Sequence, residues 1–530
     1  MRSSRHHARA CSIAAPSSGP VSSADKLAMR TPKNCVSQSR KRGVASCAAL
    51  LCLLTFVTGC PVGPNYARPK SNPPPDYYGQ PQPVEIESLA DLPWWDVFSD
   101  PVLQRLVTEA VQNNYDLRTA VARVEQANAL VGVARAPLLP QIGYQGTASR
   151  QRALVFPGQP NATYDLFAGA FNLAWEIDVW GRIRRATEAA QAEMLATDAF
   201  RRGVMLTLVS TVALRYFELI ELDRELEIAF ESVQSFRDTL QLFTRRYEGG
   251  VGSKLQTERA AAALYQAEAS VPTLQAQIVA KENQLNVLLG RNPGPIPRGK
   301  TLVQQSMPPQ TPPGLPAELL ERRPDVQQAE QTIRSANAQV GVAVASFFPR
   351  IGLTSLYGGQ STELADVVKG SANIWNLVGS IGGPIFTGGQ LLEQYYAQVA
   401  QWEQAKLQWE QTLVTAFSEV SSTLVAQEKL VDIVAAQQKT VAAYSESVRL
   451  SLLRYNQGLA NYYEVLEAQQ LLYPAENALA QAQRNQLLAV VDLYRALGGG
   501  WKIPDADWTG PSAPADAPVP EGTTPFVMVP

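Results

Sequence analysis

"ANALVGVARAPLLPQIG" (Ala127–Gly143) returns as "ANAQVGVAVASFFPRIG" (Ala336–Gly352), 209 residues later (336 − 127), with eleven of seventeen positions identical. A helical phrase of small residues that runs through a proline into a strand-like alternation is therefore written twice. Other landmarks keep the spacing. Asp116 matches Asp325, Gly132 matches Gly341 and Pro140 matches Pro349; one residue closer, Gly181 matches Gly389, Tyr247 matches Tyr455 and Gly290 matches Gly498. Such a period is far longer than the roughly 20–50 residues of solenoid repeats. It implies one body built twice, with a pseudo-twofold protomer.

Each half reads helix, strand, loop, strand, long helix, turn, helix. The long helices are expected over Arg184 to Glu248 and Gln390 to Asn456, neither of which contains a proline. Their apolar residues recur at coiled-coil spacing: Leu206, Val209, Ala213, Tyr216 and Ile220 in one, Leu413, Phe417, Val420, Leu424 and Val431 in the other. At ~1.5 Å per residue, about 65 residues make a rod of roughly 100 Å. Returning helices are expected over Lys254–Leu289 and Tyr462–Leu497, with kinks or irregularities at Pro272 and Pro474.

The strands show what the rods are attached to. In "YDLFAGAFNLAWEID" (Tyr164–Asp178), Phe167, Gly169, Phe171, Leu173, Trp175 and Ile177 share one face, and Ala168, Ala170, Asn172, Ala174 and Glu176 the other. "QIGYQGTASR" (Gln141–Arg150) alternates in the same way, and the second pair is expected at Arg350–Gly359 and Ala372–Phe386. Segments of about ten residues, apolar on one side and polar or small on the other, suit a membrane barrel. A half-buried soluble sheet is the other reading of the same pattern. Four strands cannot close a barrel, and an open edge in lipid costs several kcal/mol per unsatisfied backbone group. Subunits must then share one barrel: two would give eight strands, and three give twelve and a bore. Hollow rods continuing from the strands favour three. The fold class is thus α+β, internally duplicated, with four strands per protomer in a trimeric barrel continued by helical coiled coil.

The ends place the chain outside the cytoplasm. Arg40, Lys41 and Arg42 precede an apolar run from Val44 to Val57 that ends in "VTGC" (Val57–Cys60), the pattern of a secretory signal over 1–59. A start at Met29 would give a leader of ordinary length. Cys11, Cys35, Cys47 and Cys52 and both histidines, His6 and His7, fall in that leader, so the exported chain keeps Cys60 alone and no histidine. Without the commonest acid–base group and metal ligand, enzymatic chemistry loses its usual means. Removing nine of 46 basic and one of 48 acidic residues leaves 37 − 47, a net charge of −10, with no basic stripe for nucleic acid. Prolines mark the joints: a Pro-rich segment over 60–100, repeats over 101–290 and 318–500, an equatorial linker over 291–317, and a tail over 501–530 expected to be disordered.

Taken in order, "CPVGPNYARP" (Cys60–Pro69), "LPWWDVFSDPVLQRLV" (Leu92–Val107), "WEIDVWGR" (Trp175–Arg182), "ERRPDVQQAE" (Glu321–Glu330) and "GGPIFTGGQ" (Gly382–Gln390) resemble the TolC-like outer membrane factors, in particular their lipoprotein branch, the NodT family. The resemblance implies a homotrimer with a twelve-stranded barrel and a periplasmic helical tunnel. It implies docking through a periplasmic adaptor protein on an inner-membrane RND-type transporter, no cofactor, and lipid on Cys60. "VTGC" is similar to a lipobox, and Pro61 rather than Asp after the Cys implies sorting to the outer membrane.

The resemblance also places the functional residues at the turns of the helix pairs, "RRYEGGVGS" (Arg245–Ser253) and "RYNQGLANYYEVLEAQQ" (Arg454–Gln470). Adaptor contact falls on Tyr247, Gly249, Gly250, Gly252, Ser253, Gly458 and Asn461, the glycines also serving as ordinary turn residues. A periplasmic gate falls on Tyr455, Tyr463 and Glu467, with Gln470 where relatives carry an Arg. At the 208-residue offset Glu467 corresponds to Arg259, and a latch between the two is expected, against the plainer reading of two solvated charges. A duct for type I protein secretion and a pore-less periplasmic coiled-coil lipoprotein are the alternatives.

Overall fold

The computed structural model describes residues 61–79, 89–153, 161–306, 316–500, 502–504 and 507–508. The expected leader, Cys60 and the tail beyond residue 508 lie outside the described residues. Each repeat opens with a helix that leads into two strands and then a helix pair. In the first repeat, α1 (Pro101–Asn113) and α2 (Tyr115–Arg135) lead into β1 (Gln141–Ala153) and β2 (Ala162–Ile177), followed by α3 (Arg182–Glu248) and α4 (Lys254–Leu288). In the second, α5 (Pro324–Ala345) leads into β3 (Arg350–Ser361) and β4 (Asn373–Gly382), followed by α6 (Gln390–Asn456) and α7 (Tyr462–Ala496). Both long helices have 67 residues and both returning helices 35. Pro272 and Pro474 lie inside helices that run on past them without interruption. The fourth strand is shorter than expected: Gly383 to Phe386 leave it, since Pro384 has no N–H to donate.

The strands form one antiparallel sheet in the order β1-β2-β3-β4. Its register sets Tyr144 opposite Phe171, Phe171 opposite Tyr357 and Tyr357 opposite Trp375. This cross-strand aromatic row is 59–87% exposed in the protomer. Phe167, Gly169, Leu173, Trp175 and Ile177 lie on the same face, as the alternation predicts, along with Ile142, Leu377 and Ile381. The opposite face carries Gln145, Thr147, Asn172, Thr354, Asn376 and Ser380. A sheet with an apolar, aromatic outside, a polar inside and two open edges cannot be stable in water or in lipid by itself.

"WEIDVWGR" turns the chain from strand to rod. Asp178 accepts from the Ile183 and Arg184 amides at 3.1 and 2.9 Å, covering the donors at the start of α3. Arg182 forks onto Glu176 at 3.0 and 2.8 Å. Trp180 stacks on Phe348 at 4.7 Å and donates to the Pro349 carbonyl at 2.8 Å. The proline of the opening phrase is thus the place where α5 hands over to β3.

The main core lies around the middle of α3, where α1, α4, α5 and α7 all meet it. Its polar hub is Asp100, 1% exposed. Asp100 caps α1 through Val102 and accepts from Tyr216 Oη at 3.0 Å, the Lys300 amide at 3.0 Å and Gln305 Nε2 at 2.8 Å. The described first part of the Pro-rich segment expected as a linker, residues 291–306, is therefore bound into the core, with Ile296 and Leu302 buried and Arg298 forked onto Asp223. The start of the expected disordered tail is also held there: Trp508 is buried, and its carbonyl accepts from Trp94 Nε1 at 2.9 Å.

The "PVGPNYAR" stretch is likewise a strap laid along α5. The Val62 amide donates to the Trp180 carbonyl, Arg185 donates to Asn65 Oδ1 at 2.7 Å, Asn337 donates to the Pro64 carbonyl, and Arg68 pairs with Glu321 and Glu330.

Candidate functional site

The ends of the helix pairs distal to the sheet carry the candidate site, and the two turns are built alike. After α3, the Gly250 amide donates to the Tyr247 carbonyl and the Val251 amide to the Arg246 carbonyl, both at 3.0 Å. After α6, Gly458 donates to the Tyr455 carbonyl at 3.0 Å and Leu459 to the Arg454 carbonyl at 2.9 Å. Both are Schellman endings, and Gly250 and Gly458 take the left-handed conformation such endings require, at φ +72° and +74°. Gly249 has an ordinary φ of −76°. Gly252 is needed for space, because a Cβ there would lie 2.9 Å from the Tyr247 amide nitrogen. Ser253 and Asn461, again 208 apart, cap the returning helices through the Leu255 and Tyr463 amides.

The side chains then depart from the pseudo-symmetry. Tyr247 is exposed, whereas its counterpart Tyr455 is buried among Phe243 and Tyr462. The Arg246 guanidinium lies 4.6 Å from the Tyr455 ring centroid and donates to its hydroxyl. Arg454, the counterpart of Arg246, reaches instead to Glu464 at 3.8 Å on the surface. One step further from the turn, buried Gln469 of α7 donates to Ser235 Oγ at 3.0 Å and Thr239 Oγ1 at 3.2 Å on α3. Tyr463, Glu467 and Gln470 form an exposed stripe on α7, and Arg259 is exposed on α4.

The expected Arg259–Glu467 contact is not made within the protomer. Both α4 and α7 pack on α3, and neither charge has the other as an ion-pair partner. Arg246, Phe243, Tyr462 and Gln469 were not anticipated. Phe243 corresponds at the repeat offset to Ser451 and Tyr462 to Lys254, so the duplication gave no signal for them.

A second charged cluster joins α3 to α7 nearer the core. Glu221 and Glu225 stand one turn apart on α3. Arg484 Nη1 of α7 donates to Glu221 Oε2 at 3.2 Å, and Gln481 donates to Glu225 at 2.8 Å. Burial, reinforced by Glu225 and opposed by Arg484, pushes the Glu221 carboxyl up to about 7.

An amphipathic four-stranded sheet with open edges, continued by paired rods that end in matched turns, defines one subunit of a membrane conduit. The model of the outer membrane efflux proteins matches residues 106–291 and 315–499. The chain belongs to that family. It is 30% identical over 455 residues to the cation efflux system protein CusC of Escherichia coli O6:H1, covering 85% of this chain and 98% of that one. It is 32% identical over 461 residues to the probable efflux pump outer membrane protein TtgC of Pseudomonas putida, covering 85% and 95%.

Among solved structures, the open state of the Neisseria gonorrhoeae MtrE outer membrane channel superposes with a TM-score of 0.76 at 31% identity, covering 84% of this chain and 99% of that one. The outer-membrane channel OprN gives 0.78 at 27% identity, covering 83% and 100%. The protein is an outer-membrane efflux channel subunit, with its sheet one third of a trimeric barrel and its helices in the periplasm.

Proposed function

We propose that the trimer is the passive exit duct of a tripartite efflux system for small molecules such as drugs and toxic compounds. An inner-membrane RND-type transporter supplies the energy, and a periplasmic adaptor grips the turns at Tyr247, Gly249, Gly250, Gly252, Ser253, Gly458 and Asn461. The observation that carries this reading is the continuity of each repeat from a lipid-facing strand into a 67-residue rod with a tightly built turn at its far end. Cys60 carries the lipid. The tie of Val62, two residues on, to Trp180 at the sheet's helical rim supports acyl chains at the membrane surface.

The turns also gate the duct. Tyr455 is held by Arg246, and the exposed stripe of Tyr463, Glu467 and Gln470 faces the aperture. Threefold symmetry makes Glu467 an acidic ring that favours cations. A latch between Arg259 and Glu467 bridges subunits, because the two charges do not pair within one protomer. A double-mutant cycle of Arg259→Ala and Glu467→Ala in single-channel recordings decides it: a non-additive rise in open fraction supports the latch, and additivity removes it.

The exit-duct reading is tested in a strain lacking its own ducts. Co-expression with a periplasmic adaptor and an RND-type transporter of a related efflux system should raise the minimum inhibitory concentrations of several drugs. No rise, despite normal trimers in the outer membrane, would overturn it.

A further inference from the structure

The duplication allows the missing contact between subunits to be read from one that is present. Residues of β1 map onto β3 at an offset of 209, and those of β2 onto β4 at 208. The registers obey the mapping. The β1–β2 partners Gln141 and Ala174 become Arg350 and Gly382, which are themselves partners. The junction between repeats, β2 against β3, is therefore the internal copy of the junction that the open edges of β4 and β1 must make. In it Ile177 faces Ile351, Leu173 faces Ser355 and Phe171 faces Tyr357.

We propose that β4 joins β1 of a second copy of this chain in the register carried over from β2 and β3. Ile381 then faces Gly146 of the partner subunit, Ser380 faces Thr147 of the partner subunit, and Leu377 faces Arg150 of the partner subunit. The inference rests on the trimeric duct and adds the residue-level seam that closes it.

Three observations support this register. Ile385 follows β4 and is the counterpart of Ile177, while Ile142 is the counterpart of Ile351. The register sets Ile385 against Ile142 of the partner subunit, and these two isoleucines are 103% and 74% exposed in the protomer. The faces also agree across the seam. Ser380, Val378 and Asn376 meet Thr147, Ser149 and Gln151 of the partner subunit on the inner side. A slip of one residue would turn Trp375 and Leu377 onto the polar face. Finally, the receiving side of the corner repeats, although the counterpart of Trp180 is Gly388, which brings no ring. The counterparts of Phe348 and Pro349, against which Trp180 packs, are Leu139 and Pro140. Leu139 stands exposed beside β1, where the adjoining corner with Ile385 and Phe386 would arrive.

The slips that preserve the faces move the partner by two residues, about 6.6 Å, which is more than a disulfide tolerates. The test uses full-length chain in outer membranes, with the cysteine pair Ser380→Cys/Thr147→Cys and the slipped pairs Ser380→Cys/Gln145→Cys and Ser380→Cys/Ser149→Cys. A second set, Gly379→Cys/Ala148→Cys with its own slipped pairs, covers the alternate hydrogen-bonding row. Single-cysteine variants control for Cys60. In at least one set the in-register pair should cross-link between subunits roughly tenfold faster than either slipped pair. Faster cross-linking of a slipped pair, or none at all in trimers that resist SDS, overturns the register. Absence of trimers in the parent protein would overturn the duct itself.

Discussion

Two helices of equal length, matched cap for cap, have different surroundings. α3 is covered along most of its course by α2, α4, α5, α7 and α1, whereas α6 leans on α7 and α5 and leaves a broad face open. Their shared stripe is buried in both, as at Met205 and Leu413 or Val212 and Val420. The flanking positions differ. Leu206 is 5% exposed, and its counterpart Val414 is 69% exposed. One copy of the duplicated helix became the protomer's own core, and the other became a wall offered to its neighbours. A periodic sequence fixes which face is apolar, but not which chain will cover it.

That contrast is open to direct attack, beginning with the largest effect. Leu206→Ala should lower stability by about 3 kcal/mol in guanidinium unfolding followed by circular dichroism. Val414→Ala should leave that transition within about 0.5 kcal/mol and instead lower the temperature at which SDS-resistant trimers dissociate. Equal unfolding losses at both sites would erase the distinction.

The α3–α7 seam supplies a pH-dependent prediction. Glu221 holds its proton to about pH 7 in the fold and releases it near 4.5 when unfolded. Between those values the folded state binds the extra proton, so stability is highest below the lower value and falls as pH rises to the upper one, by up to about 1.4 kcal/mol per unit. Glu221→Gln should flatten this slope and raise stability at pH 8. Its α6 counterpart is Lys429, exposed beside Glu428, and Lys429→Gln should leave the slope unchanged.

The turns give a smaller pair of effects. Arg246→Ala removes a cation–π contact and a hydrogen bond from buried Tyr455. It should raise the open fraction of single channels by an amount equivalent to about 1–2 kcal/mol. Arg454→Ala breaks only a surface pair and should shift it by a few tenths. Gly250→Ala and Gly458→Ala should each cost about 1 kcal/mol. Here the halves should behave alike in thermal unfolding, since both turns need the same backbone.

Much of this fold was legible because the duplication checks itself. The spacing of Gly181 to Gly389, Gly290 to Gly498 and Pro140 to Pro349 located helix starts, helix ends and strand entries, since each is imposed by local backbone geometry. What stayed hidden depended on neighbours remote in sequence. Nothing in "RNPGPIPRGK" announces that Lys300 will give its amide to Asp100, or that Trp508 will return from the tail to Trp94. Arg259 and Glu467 were matched by repeat position, but equivalence under a pseudo-twofold does not put residues side by side. Arg246 over Tyr455 was hidden because the matching Arg454 and Tyr247 make different contacts.

That one chain brings a third of a wall it cannot close alone is checked by native mass spectrometry of the membrane-extracted protein released from detergent. Particles of three chains that keep their β-structure signal are expected. Particles of one chain, with the strands folded and the helices intact, would contradict it.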